Sequence, residues 1–94
     1  MEIADFIWLP EVEEKLDWKH AVQTWEVEEV FVNDPLIRFI QKGRRPGEDV
    51  YAAFGQSDAG RYLVVYYIYK LDKRALIMSA RDMERTERRQ YERR

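Results

Sequence analysis

Apolar positions along the first third of the chain recur at helical spacing after one short extended run. Phe6-Ile7-Trp8 is apolar and is closed by Pro10, a residue that favours an extended predecessor and sits well in the first turn of a helix. A strand is therefore expected there, followed by a helix from about Pro10 to Lys19. Glu11, Glu13 and Glu14 suit the positive N-terminal end of that helix, and Val12 with Leu16 forms an i, i+4 apolar pair. A second helix is expected from about Thr24 to Val32. Val27, Val30 and Phe31 share one face, and Asn33-Asp34-Pro35 stops it. After Pro35 the period changes. Ile37, Phe39 and Ile40 open a β-rich segment, and Gly43-Arg44-Arg45-Pro46-Gly47 is a loop. Strands are predicted at Val50–Phe54, Arg61–Tyr69 and Arg74–Ser79, joined by turns at Gln56–Gly60 and Leu71–Lys73, which together make an antiparallel meander.

The stretch Leu63–Tyr69 is too apolar for a strand with one wet face, so both of its faces should be covered, one of them by the N-terminal helices. Phe54, Tyr66 and Tyr67 are read as core. From Arg81 to Arg94 charged residues dominate, and a helical wheel puts Arg81, Arg85 and Arg88 on one side with Met83 and Tyr91 roughly opposite. The expected fold class is α+β: an antiparallel sheet of about four strands plus a short N-terminal strand, packed with two N-terminal helices and an arginine-rich C-terminal helix. Ninety-four residues support one core, so residues 1–94 are read as one domain.

Composition narrows the chemistry. There is no Cys, and the single His20 cannot supply a two-histidine or Cys/His ligand set, so a structural zinc site is not expected. No apolar run approaches the roughly 20 residues that span a bilayer. The start, Met-Glu-Ile-Ala-Asp, lacks the features of a secretory signal, which points to the cytoplasm. Charge is uneven: residues 1–35 carry −8 and residues 36–94 carry +6, giving the net −2. Such separation favours a polyanion on one surface and a basic partner on another.

The order of motifs resembles the BrnT family of bacterial type II toxin ribonucleases, proteins similar in fold to the RelE-like toxins. Phe6-Ile-Trp8 with Pro10 is similar to the family's F-x-W-D-P element, and Lys19-His20-Ala21-Val22 to its K-H-G-V turn. Glu26 to Phe31 with Asp34-Pro35 resembles its E-E-A-x-x-V-F-x-D-P helix and stop. Phe54-Gly55 through Gly60-Arg61 and Leu63-Val64-Val65 are similar to its I-G-x-x-x-x-G-R-x-L-V-V hairpin. Ile77-Met-Ser79-Ala80-Arg81, with Glu84-Arg85 to Tyr91, resembles its I-S-A-R-x-x-x-x-x-E-R-x-x-Y ending. The chain departs from the pattern at three helix ends. Leu9 replaces an aspartate that would cap the first helix, Ala21 replaces a glycine, and Gln23 replaces a capping serine.

The resemblance implies an endoribonuclease that uses no metal or other cofactor, inhibits translation, and is neutralised by a BrnA-like antitoxin lying over the basic face in a hetero-oligomer. Such cleavage needs a base for the 2′-OH, cations for the charge growing on the phosphate, and an acid for the departing 5′-oxygen. Arg61, Arg81 and Arg85 are the candidate phosphate clamp, because a guanidinium stays charged and binds phosphate bidentately. His20 is the candidate acid or base, although a histidine at a helix end also serves to stabilise exposed carbonyls, and Lys19 beside it is a further catalytic candidate. Arg88, Arg89, Arg44 and Arg45 are expected to hold RNA backbone, and Trp8 and Tyr91 to stack bases. Glu87 falls on the packed side of the wheel. The alternatives are a non-catalytic interaction domain of the same fold that binds an antitoxin-like partner, and a DNA-binding regulator, which the negative net charge disfavours.

Overall fold

The structure is a computed structural model that describes all 94 residues. Its elements run β1 (Asp5–Ile7), α1 (Pro10–Lys15), a π-helical turn (Leu16–His20), α2 (Thr24–Val32), β2 (Leu36–Gln41), β3 (Val50–Gln56), β4 (Tyr62–Tyr69), β5 (Arg74–Asp82) and α3 (Arg85–Glu92). The five strands form one sheet in the order β1-β5-β4-β3-β2. Strands β2 to β5 are the expected antiparallel meander, but β1 lies parallel to β5. The sheet is therefore mixed. The chain leaves β1 through two helices and the whole meander before β5 returns beside it, and only so long a connection lets two strands run in the same direction.

The β4 strand is fully covered on one face, as expected, but only partly on the other, where Tyr62, Tyr66 and Ile68 stay half-buried. Leu63, Val65 and Tyr67 point to the face carrying α1 and α2, where they meet Leu16, Val22, Val27 and Val30 in one core. Val64, Tyr62 and Tyr66 alternate onto the other face, where Tyr91 of α3 packs edge-on to Tyr62 with centroids 6.0 Å apart. Phe54 and Tyr66, both expected in the core, are half-buried on that second face instead, while Tyr67 is fully buried.

Two boundaries differ from the sequence pattern in ways that matter for function. β5 continues to Asp82, because β4 is long enough to offer Val64 and Leu63 as ladder partners to Arg81 and Asp82. Arg81 is thus a strand residue, and Met83 precedes the helix, its N–H bonded to the Tyr62 carbonyl at 3.0 Å. Helix α3 starts only at Arg85, where the Glu87 carboxylate accepts the Glu84 N–H at 2.8 Å and closes the N-terminus.

The helix ends explain the three departures. Leu9 makes no side-chain cap. Ala21 adopts φ 51°, ψ 40°, a left-handed conformation that costs a residue with a Cβ roughly 1 kcal/mol relative to glycine. Gln23 does not leave α2 uncapped: its N–H is accepted by Glu26 at 3.0 Å, and its amide donates to Asp17 at 2.7 Å. No helix is long and apolar enough to cross a membrane.

Candidate functional site

The C-terminal end of β5 gathers the chemistry. Its last two residues, Arg81 and Asp82, point to opposite faces of the sheet, as neighbours on a strand must. Each anchors a separate cluster.

On the α3 face, Arg81 donates from Nη1 to Glu87 Oε1 at 2.7 Å and from Nη2 to Glu87 Oε2 at 2.8 Å, a bidentate fork. Nη2 also donates to the Tyr66 hydroxyl at 3.0 Å, and Nη1 to the Asp82 carbonyl at 3.1 Å. Its Nε–H is left without a protein partner. The pair is partly shielded, with 31% of the Arg81 and 21% of the Glu87 side chain exposed. The fork holds the Glu87 carboxyl below the usual carboxylate range and raises Arg81 further above neutrality. The wheel position of Glu87 on the packed side is the observed one, and what it packs against is Arg81.

On the α1/α2 face, Arg61 fastens the β3–β4 hairpin to the ends of both N-terminal helices. Its Nε and Nη2 hold Asp82 at 2.8 and 3.2 Å. Nη2 also reaches the His20 carbonyl at 3.0 Å, while Nη1 reaches the Ala21 carbonyl at 2.7 Å and Glu26 at 3.3 Å. All five donors are engaged inside the protein. Arg61 holds Asp82 below the ordinary carboxylate range, with a smaller contribution from the nearby charge of His20. His20 is half-buried and Lys19 exposed in the π-helical turn beside this cluster.

A family model described as "Ribonuclease toxin, BrnT, of type II toxin-antitoxin system" matches residues 8–87. The chain belongs to the BrnT family. No curated protein matches it at a significant level. Membership makes the chain one of a family of ribonuclease toxins that work with an antitoxin.

The matched span of this BrnT chain includes Lys19, His20, Arg61, Arg81, Arg85 and Glu87, and ends before the last turn and a half of α3. The arginine stripe expected from the sequence, 81, 85 and 88, does not exist as such, because Arg81 is on a strand. The ridge that α3 presents outward is Arg85, Arg89 and Arg93, at i, i+4 and i+8, all exposed and none paired with a carboxylate. Arg88 instead lies over the Tyr62 ring, its Cζ 3.9 Å from the centroid, and 3.8 Å from Glu92.

The remaining candidates are scattered. Tyr91 is buried. Trp8 lies just beyond β1, packs on the core and donates its Nε1–H to Glu28 at 2.8 Å. Arg44 and Arg45 are exposed, but their loop joins β2 to β3 at the end of the sheet away from Arg81, across a seven-residue strand or roughly 20 Å. Sequence reasoning missed Tyr66, which it read as core. The alternation Leu63/Val65/Tyr67 against Val64/Tyr66 was the available signal, since residues sharing a face with Arg81 are those in register with Val64.

Proposed function

We propose that this BrnT-family chain cuts single-stranded RNA without a metal ion, across the α3 face of its sheet, and that this cleavage inhibits translation in the cytoplasm. The observation that carries the reading is Arg81, held between a carboxylate and a phenol at a partly open surface. Arg81 is the cation at the scissile phosphate, approaching through its free Nε–H and exchanging its other donors as charge builds. Glu87, kept ionised by Arg81, accepts the 2′-OH proton. The Tyr66 hydroxyl accepts its hydrogen bond from Arg81, so its own proton is available for the leaving 5′-oxygen. Arg85, Arg89 and Arg93, on the outward side of α3, bind phosphates further along the RNA, and Arg88 lies between them and the sheet. Arg61 is a positioning residue, since its donors are occupied. A BrnA-like antitoxin lying over this face would close the cation in a toxin-antitoxin hetero-oligomer, and the fold is read as RelE-like.

A second reading places the proton transfer on His20, with Lys19 contributing charge, and is favoured by the electrostatic coupling of His20 to Asp82 across the same strand end. The pH–rate profile separates the two. A Glu87 base gives an acid limb below the ordinary carboxylate value that His20→Asn leaves unchanged, whereas under the second reading His20→Asn abolishes cleavage. The function itself is tested by tightly controlled expression, following growth and RNA integrity. Growth arrest with RNA loss, abolished by Arg81→Ala and weakened by Arg85→Ala, is expected. Normal growth with intact RNA, at matched levels of folded protein, would leave the non-catalytic interaction domain as the better account.

A further inference from the structure

A groove of about 460 Å³ opens at the C-terminal half of α3, walled by Gln56, Tyr62, Tyr91, Glu92 and Arg94. Three of its five walls, Tyr91, Glu92 and Arg94, lie beyond residue 87, where the family match ends. Its construction is aromatic and cationic. Arg94 stacks on Tyr91 with its Cζ 4.5 Å from the centroid, and the guanidinium is tethered at Nη1 to Asp34 at 3.2 Å and at Nη2 to the Tyr91 hydroxyl at 3.2 Å. Tyr62 carries Arg88 over its ring and meets Tyr91 edge-on. Stacked tyrosine and arginine planes are the surfaces on which unpaired bases are held.

One wall is acidic. Glu92 accepts the Tyr62 hydroxyl through Oε2 at 3.1 Å, which fixes the carboxylate at the mouth of the groove. A carboxylate can only accept hydrogen bonds. Among the four RNA bases, only guanine offers two adjacent donors, N1–H and N2–H, on one edge. Adenine and cytosine turn a ring-nitrogen acceptor toward a carboxylate beside their amino group, and uracil flanks its single N–H with two carbonyl oxygens. Opposing an acceptor to the carboxylate is repulsive, and even with the Glu92 side chain 49% exposed to water only guanine gains two hydrogen bonds there.

We propose that this groove is a nucleobase subsite that selects an unpaired guanine adjoining the cleaved phosphate, held beside the Arg94 guanidinium and read by Glu92. It rests on the RNA-cleaving reading above and supplies that reading with a base preference. The ridge of Arg85, Arg89 and Arg93 would carry phosphates further along the RNA.

The test uses the full chain and a pool of single-stranded RNA oligonucleotides randomised at one position, with cleavage positions mapped by sequencing the ends. In parallel, fluorescence anisotropy measures binding of uncleavable 2′-O-methyl oligonucleotides bearing G, A, C or U at that position. Wild type is expected to favour G at least tenfold in both assays. Glu92→Gln, which replaces one acceptor with a donor, should bring the preference to within about twofold, while Arg44→Gln, in the distant loop between β2 and β3, should retain it. Thermal unfolding of each variant checks that it folds. Cleavage with no preference for G, or a preference that Glu92→Gln leaves intact, overturns the subsite while the ribonuclease reading stands. Selective binding of G-containing RNA without cleavage keeps the subsite and removes the reading. Neither cleavage nor selective binding removes both.

Discussion

Arg61 gives a sharp contrast between a catalytic and a structural arginine. Replacing it with alanine removes a guanidinium whose five donors reach Asp82, Glu26 and the carbonyls of His20 and Ala21. The Asp82 side chain is 63% exposed, so water takes over much of that pair, and its share is about 0–1 kcal/mol. The two carbonyls are the unsatisfied end of the π-helical turn, and Glu26 is 18% exposed, so these contacts together net about 2–3 kcal/mol. A total of about 3 kcal/mol, against the 5–15 kcal/mol typical of a domain, predicts a large loss. In urea titration followed by tryptophan fluorescence, the midpoint should fall by about 1.5–2 M for an m value of about 1.5–2 kcal/mol/M. Arg61→Lys keeps a charge but not the fork, and should fall between. Residual cleavage by the folded fraction of Arg61→Ala should stay within about tenfold of wild type. A midpoint within about 0.3 M of wild type, combined with abolished cleavage, would refute the structural assignment and return Arg61 to the phosphate.

Ala21→Gly should raise stability by up to about 1 kcal/mol, since φ 51° costs glycine nothing, and a lower urea midpoint would contradict it. Asp82 and Glu87 have folded pKa values below their ordinary 3.8 and 4.5, so the stability they add is complete above about pH 5 and is lost as pH falls through those folded values. Thermal midpoints between pH 6 and pH 3 should therefore drop, and less steeply in Glu87→Gln; an identical drop would remove Glu87 from the account. Binding of single-stranded RNA should weaken with salt, and each of Arg85→Gln, Arg89→Gln and Arg93→Gln should reduce the slope of log K against log salt by roughly 0.7. Unchanged slopes would show that the ridge does not meet phosphate.

Strand and helix positions were legible wherever a periodic apolar face had to be buried. Val27 and Val30, the apolar run Val50–Phe54 and the run Leu63–Tyr69 all led to the elements observed. The parallel placement of β1 was not legible, because three residues carry no record of the strand they join. The end of β5 was hidden for a different reason. Arg81 and Asp82 look helical beside the charged segment that follows, but β4 offers Val64 and Leu63 as partners, and a strand residue with a waiting partner stays in the sheet. That two-residue difference reorganises the site. It separates Arg81 from the helical ridge, gives it Glu87 and Tyr66, and shifts the outward stripe to Arg85, Arg89 and Arg93. Gln23 shows the same limit at smaller scale, since Glu26 three residues on accepts the Gln23 N–H, the half of a capping box that does not depend on a serine.

The central claim is that Arg81 stabilises the charge of metal-free RNA cleavage. The direct measurement is cleavage of a fluorescently labelled single-stranded RNA by the purified chain in excess EDTA, with the chemistry of the new 3′ ends determined by mass spectrometry. Wild type should cut and leave 2′,3′-cyclic phosphate ends, and Arg81→Ala, confirmed as folded by circular dichroism, should be slower by at least a hundredfold, or about 2.7 kcal/mol. Loss of cleavage on chelation, or an Arg81→Ala protein that cuts at the wild-type rate, would contradict it.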